Sequence, residues 1–191
     1  MNHSVPAGRP DPRAERTRLR LQQTMGEMLT TQSFASVTVQ EITRRAEVNR
    51  ATFYAHFQDK DDLLESTLRE KCRRVLEAAR PAPSAPAPAA WQHLIYSVLK
   101  FFAQMPAVCP QAARQWNGIV TTAMREELDC LLEEWLAAAR PDQLVPAVVV
   151  AAVSGAIVTA GLRWLRGTAR ETPQEGAEAL TAFLLRGLSL A

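Results

Sequence analysis

Residues suited to catalysis are scarce in this chain. Its 191 residues hold three histidines and three cysteines, spread through unrelated contexts. There is no HExxH, no Gly-rich phosphate loop and no run of metal ligands, so hydrolytic, nucleotide-dependent and metal-assisted chemistries have no visible foothold. No cofactor is expected. Cys72, Cys109 and Cys130 are odd in number and lack CxxC spacing, which excludes a disulfide framework and fits reduced thiols in a cytoplasmic protein. Cys109 reads as a plain buried thiol, with redox sensing as the alternative. Strand patterns are missing too: the β-branched run Val148-Val149-Val150 is flanked by alanines. No apolar stretch follows the first basic residues, so no secretory leader is expected. A net charge of +2 is too small for a generic nucleic-acid coat protein.

Three closely spaced helix starts are what the chain does have. Thr38 and Glu41 have the spacing of a capping box, in which the Thr hydroxyl accepts from the Glu41 amide and the carboxylate reaches back to Thr38. Val37 and Ile42 have the spacing of a hydrophobic staple. The pattern recurs with Asn49 as cap and Val48 facing Phe53, and again with Asp59 as cap and Asp61 and Asp62 at the positive end of the helix dipole. Two short helices joined by a tight turn are therefore expected over about 38–57, with a third following at once.

The second of these helices has two faces. Phe53 and Phe57, four residues apart, share a side and should pack with Ile42, Ala46 and Val48. Arg50, Ala51 and Tyr54 then face outward near the helix start, the end that helix-turn-helix motifs insert into the major groove. Ala51 lets a base edge or thymine methyl approach closely. Thr52, Tyr54 and His56 offer donors to phosphates, although Tyr54 and His56 would equally serve to cover the small core. Lys60 adds a charge at the following helix N-terminus.

Residues from about Arg18 to Leu64 resemble the DNA-binding domain of the TetR family of transcriptional regulators. The strings Thr-Val-x-Glu-Ile, Ala-x-Val-Asn-Arg-x-Thr-Phe-Tyr-x-His-Phe and Asp-Lys-x-x-Leu-Leu match its pattern in order and spacing. The resemblance implies that Gln40 and Arg50 read bases and that Thr38, Thr52, Tyr54 and Lys60 contact the phosphate backbone. Ser33 and Glu47 stand where the pattern has glycine, and Gly26 lies in the middle of helix 1. If the turn needs positive φ, Glu47 costs up to about 1–2 kcal/mol there.

Charge is distributed accordingly. Residues 1–60 hold nine Lys/Arg against six Asp/Glu, whereas residues 81–191 hold eight against nine. Arg9, Arg13, Arg16, Arg18 and Arg20 lead into helix 1, and such an arm can reach phosphate or an adjacent minor groove. Residues 1–12, with their prolines, are expected to be a disordered arm, which leaves Arg9 as a solvated tail residue.

The rest of the chain predicts an all-α protein of about nine helices. A helix-turn-helix DNA-binding domain is expected at 13–64, and a helical effector-binding and dimerisation domain at 65–191. Helix 1 should run from about Arg13 to Gln32 with Leu21, Met25, Met28 and Leu29 on one stripe and Phe34 closing the turn. The fourth helix should run from Lys60 to about Ala79 with Leu64, Leu68, Cys72 or Val75, and Leu76 or Ala79 inward. Residues 81–90, rich in Pro and Ala, read as a semi-rigid linker. Helices are then expected over Trp91–Met105, ended by Pro106, in a short segment near Gln111–Asn117, and over Ile119–Ala139, Leu144–Leu165 and Pro173–Leu190.

Leu144–Leu162 is uncharged over nineteen residues, long enough to suggest a membrane span. Much of it is small, however. Ala147, Ala151, Gly155 and Thr159 repeat every four residues, and such a ridge lets helices approach closely in soluble interfaces as well as in membranes. Paired with Leu180, Phe183 and Leu184 of the last helix, it is expected to form a four-helix homodimer interface rather than a membrane contact. The resemblance implies the same use of the last two helices.

Trp91 to Trp135 is rich in large apolar residues. This reads as ordinary core; the family resemblance implies instead that the region encloses an effector pocket, with Tyr96, Phe102, Met105, Trp116, Asn117 and Met124 as candidate lining and His93, Gln104 and Arg114 as further polar groups. By that resemblance the expected function is a homodimeric transcriptional regulator, more specifically a repressor that leaves a near-palindromic double-stranded DNA operator when a small hydrophobic effector binds. The alternative is a dimeric adaptor for a protein partner, with a non-functional helix-turn-helix.

Overall fold

The computed structural model describes residues 11–82, 88–108, 116–139 and 145–188. Among these are eight α-helices, one 3-10 turn and no strand, in accord with the all-α expectation. In chain order they are α1 (Pro12–Thr31), the 3-10 turn (Phe34–Ser36), α2 (Val39–Arg45), α3 (Arg50–His56), α4 (Lys60–Ala78), α5 (Pro88–Val108), α6 (Asn117–Ala139), α7 (Ala147–Leu165) and α8 (Pro173–Leu188). The arm at 1–10 with Arg9, the linker at 83–87, Cys109, Arg114 and most of the short segment expected at 111–117 lie outside the described residues. The packing divides into two units, Met1–Thr67 and Leu68–Ala191.

In the first unit, Pro12 opens α1, where its missing N–H costs nothing, and the Asp11 carboxylate caps it by accepting from the Arg13 amide at 2.9 Å. The expected stripe of Leu21, Met25, Met28 and Leu29 is buried. With Ile42, Ala46, Phe53, Phe57, Leu63 and Leu64 it makes the small core on which the motif rests. Each such large side chain contributes about 1.5–3 kcal/mol by leaving water. The Gln22 amide donates to the Ser66 carbonyl at 3.1 Å and hydroxyl at 2.9 Å, which fastens α1 to the beginning of α4.

In the second unit α5 packs on α7 and α8, and α7 also packs on α6. Val150, Val153, Ser154, Ile157, Val158 and Gly161 of α7 are buried, so this apolar helix is a core element although its length and mean hydropathy of 1.8 match a membrane span. Trp91 and Trp135 meet with ring centroids 4.8 Å apart, and the Trp135 indole donates to the Ala82 carbonyl at 3.2 Å. Arg69 of α4 pairs with Glu126 of α6 at 2.6 Å, and Arg80, just past the end of α4, with Glu134 of α6 at 2.8 Å. These exposed pairs contribute about 0–1 kcal/mol each.

Several boundaries depart from the sequence expectation. α5 begins at Pro88 instead of Trp91, because proline suits a first helical turn and the last residues of the expected linker simply join the helix. It also passes Pro106 and ends at Val108: the lost N–H forfeits one bond in the last turn, too late to prevent the helix. α7 starts at Ala147 instead of Leu144, since Pro146 sits at the cap with extended backbone (φ −60°, ψ 137°). On α4 it is Cys72 that faces inward, while Val75 is half-buried.

Candidate nucleic-acid interface

The interface is built by three caps. The Thr38 hydroxyl accepts from the Glu41 amide at 3.2 Å and starts α2. The Asn49 side chain accepts from the Thr52 amide at 2.7 Å and starts α3. Asp59 accepts from the amides of Asp61 and Asp62 at 2.9 and 2.8 Å and starts α4. The capping box is only half made at Thr38. The Glu41 carboxylate takes Arg45 at 2.8 Å and Gln32 at 3.4 Å instead of reaching back to the cap amide, since a charged partner one turn on is the stronger attraction. At α4 the Asp62 carboxylate reaches back past the cap and accepts from the Gln58 amide at 2.9 Å.

Glu47 occupies the turn between α2 and α3 at φ +51°, the left-handed conformation that the pattern's glycine would take without cost. Its carboxylate pairs with Arg20 of α1. Sequence reasoning found the strained position but not this partner, because the pairing spans separate helices.

α3 then presents its two faces. Phe53 and Phe57 are buried with ring centroids 6.1 Å apart. Arg50, Ala51 and Tyr54 are exposed, Tyr54 by 50%, and the Arg50 guanidinium stands 5.9 Å from the Tyr54 ring. The Tyr54 ring in turn meets Phe53 edge-on at 5.3 Å, so an exposed aromatic is steadied by a buried one. Thr38, Gln40 and Asn49 are exposed, while Thr52 and His56 are half-buried, His56 beside Phe57 at 6.4 Å. Lys60 differs from the expectation of an outward charge. Its ammonium donates to the carbonyls of Phe34 at 3.1 Å and Val37 at 3.0 Å and lies 4.5 Å from the Phe34 ring centroid. No side-chain pattern announces a carbonyl cradle, which is why the sequence did not foretell it.

The residues expected around an effector lie on α5 and at the start of α6. Phe102, Trp116 and Met124 are buried, and Tyr96, Met105 and Asn117 are half-buried. The Lys100 ammonium lies 5.6 Å from the Tyr96 ring, and Asn117 accepts from the Thr121 hydroxyl. On the expected dimer face, Ala147 and Thr159 are exposed, Ala151, Gly155 and Leu180 are half-buried, Phe183 is 69% exposed and Leu184 is buried. An apolar groove of about 340 Å³ is lined there by Val148, Val149, Ala152, Phe183, Leu184 and Gly187. Val148, 73% exposed, was missed because attention fell on the small residues one position before it.

Residues 27–67 match the family model described as "Bacterial regulatory proteins, tetR family". That stretch, which holds α2 and α3, is similar to the DNA-binding region of the TetR family. Over 68 residues it is 35% identical to the uncharacterized HTH-type transcriptional regulator YxbF of Bacillus subtilis (strain 168), a stretch that is 35% of this chain and 18% of that relative. Two solved structures of TetR-like form share the fold along nearly the whole chain. The TetR family repressor AlkX from Dietzia sp. strain DQ12-45-1b, implicated in biodegradation of n-alkanes, superposes with TM-score 0.65 at 18% identity, over 90% of this chain and 97% of that one. The fatty acid degradation regulator FadR from Bacillus halodurans gives TM-score 0.54 at 16% identity, over 95% and 98%. YxbF, AlkX and FadR are all regulators.

Proposed function

We propose that this chain is a TetR-type homodimeric repressor that reads a near-palindromic operator and releases it when a small hydrophobic effector enters the C-terminal unit. The observation that carries the reading is the exposed Arg50, Ala51 and Tyr54 face on a helix anchored by Phe53 and Phe57. Arg50 reads a guanine edge by its paired donors, with Gln40 as the second base reader and Ala51 against a thymine methyl. Thr38, Asn49, Thr52, Tyr54 and His56 hold the phosphate backbone and fix the register. The exposed Val148 and Phe183 support self-association through α7 and α8, which puts two copies of α3 about one helical turn apart on DNA.

The apolar, aromatic-rich second unit supports a hydrophobic effector. AlkX is implicated in biodegradation of n-alkanes, and FadR is a fatty acid degradation regulator. The Tyr96, Phe102, Met105, Trp116, Asn117 and Met124 region takes the effector. α4, which begins at Lys60 in the first unit and ends at Ala78 in the second, is the covalent route by which binding shifts the population between two dimer geometries.

Selection of random duplexes by the purified full chain tests this. A palindromic consensus is expected. Arg50→Ala should then lose about 1–3 kcal/mol on that duplex and almost nothing on a scrambled one. Equal losses on both, or no duplex selected at any ionic strength, would favour an adaptor that binds protein.

A further inference from the structure

The start of α4 holds a basic side chain in an arrangement that its expected role does not need. The Lys60 ammonium donates to the Phe34 carbonyl at 3.1 Å and the Val37 carbonyl at 3.0 Å, and it lies 4.5 Å from the Phe34 ring centroid. An ammonium has three N–H donors and no acceptor capacity, so two of the three are spent on the backbone. The third contact, with the ring face, is the cation–π geometry that strengthens as water is excluded. Lys60 is half-buried, and Phe34 and Val37 are 8% and 1% exposed.

These acceptors are not arbitrary. Phe34 opens the 3-10 turn and Val37 is the residue before Thr38, whose hydroxyl caps α2. One side chain from the first residue of α4 therefore grips both ends of the segment that feeds the motif. The Val37 carbonyl belongs to the peptide unit whose N–H is that of Thr38, so fixing it fixes the direction in which α2 begins. Thr38 and Gln40 both follow within three residues.

We infer that Lys60 is a positioning residue: it acts on DNA reading through the Phe34–Val37 backbone, by setting the entry of α2, rather than by neutralising a phosphate. This rests on the DNA-binding reading above. Two consequences separate it from a phosphate contact. A residue that neutralises phosphate lowers binding to every sequence alike, and its removal flattens the dependence of log affinity on log salt by about one unit. A residue that aims the motif changes operator recognition more than non-specific binding, and leaves that slope in place.

The test compares the wild-type full chain with Lys60→Met, which keeps length and apolar contact with Phe34 but removes the donors. Affinities are measured for the duplex selected by the wild type and for a scrambled duplex, from about 50 to about 200 mM salt. We expect the ratio of selected to scrambled affinity to fall about tenfold with an unchanged slope, and the melting temperature to drop. Parallel losses on both duplexes with a slope flatter by about one would overturn the inference while leaving DNA binding intact. No selective complex with the wild type would overturn the DNA-binding reading and this inference together. Should Lys60→Met fail to fold, solvent exchange of the Lys60 ammonium protons in the wild type decides by NMR. Slow exchange, unaltered when the duplex binds, supports the cradle; fast exchange in the free chain, or a change of partner on binding, refutes it.

Discussion

The ring of Phe102 lies directly against Gly161. A Cβ placed on Gly161 would come within 2.3 Å of Phe102 Cδ2, and Phe102 is fully buried on α5. The glycine is thus what lets α5 and α7 approach, and Phe102 serves the packing of the second unit whatever else it does.

Gly161→Ala should accordingly destabilise the protein. Alanine favours a helix interior over glycine by about 1 kcal/mol, but overpacking a filled core costs about 1–3 kcal/mol, and the contact at Phe102 is too close to relax cheaply. A lower melting temperature is expected by calorimetry, partly restored in the double variant with Phe102→Leu. An unchanged or higher melting temperature for Gly161→Ala would show that α5 and α7 can separate.

Glu47→Gly should stabilise the first unit. The left-handed backbone at φ +51° costs a non-glycine residue about 1–2 kcal/mol, while the lost pair with Arg20, whose side chains are 50% and 76% exposed, is worth about 0–1 kcal/mol. The balance predicts a gain of about 1 kcal/mol in urea unfolding. Glu47→Ala provides the control, since it breaks the same pair without relieving the backbone, and it should gain nothing. Equal behaviour of the two variants would mean that the turn carries no strain.

Phe183→Asp should break the proposed dimer. A carboxylate in place of a 69% exposed ring would lie beside the apolar groove of α7 and α8, and burying it unpaired against a second copy is unfavourable. Sedimentation equilibrium is expected to give twice the chain mass for the wild type and the single mass for the variant, with selected-duplex affinity falling in step. A variant that still sediments at twice the chain mass would place the contact elsewhere.

The thiol of Cys72 gives the protein a measurable alkaline sensitivity. Burial pushes it up to about 12, with Glu127 adding to the rise, against an ordinary value of 9.0. Because the folded state holds this proton more tightly than the unfolded chain, its contribution is complete below about pH 9 and is lost progressively towards pH 12. Each pH unit inside that window should remove up to about 1.4 kcal/mol. Urea unfolding at about pH 8 and about pH 10.5 should therefore show a steeper loss for the wild type than for Cys72→Ala. Parallel losses would mean that the thiol titrates normally.

Much of this molecule was legible in advance because its information is local. The caps at Thr38, Asn49 and Asp59 and the four-residue spacing of Phe53 and Phe57 act within one helical turn, so they could be read directly, and the structure places each where the spacing indicated. Proline was the weaker guide. Pro88 and Pro106 looked like boundaries, yet one opens α5 and the other is tolerated in its last turn. The small-residue ridge does not coincide with the most exposed stripe of α7, since helical spacing alone does not say which stripe a neighbour will cover.

The order of residues by itself determined the all-α class, the starts of α2, α3 and α4, and an α3 with one apolar and one polar side. Tertiary structure alone decided that Lys60 turns toward two carbonyls, that Arg20 meets Glu47, and that Phe102 presses on Gly161. The physical reason is range. Caps and amphipathic spacing are short-range and written in consecutive residues, whereas a carbonyl acceptor, a distant ion partner or the space over a glycine exists only once separate helices have been brought together.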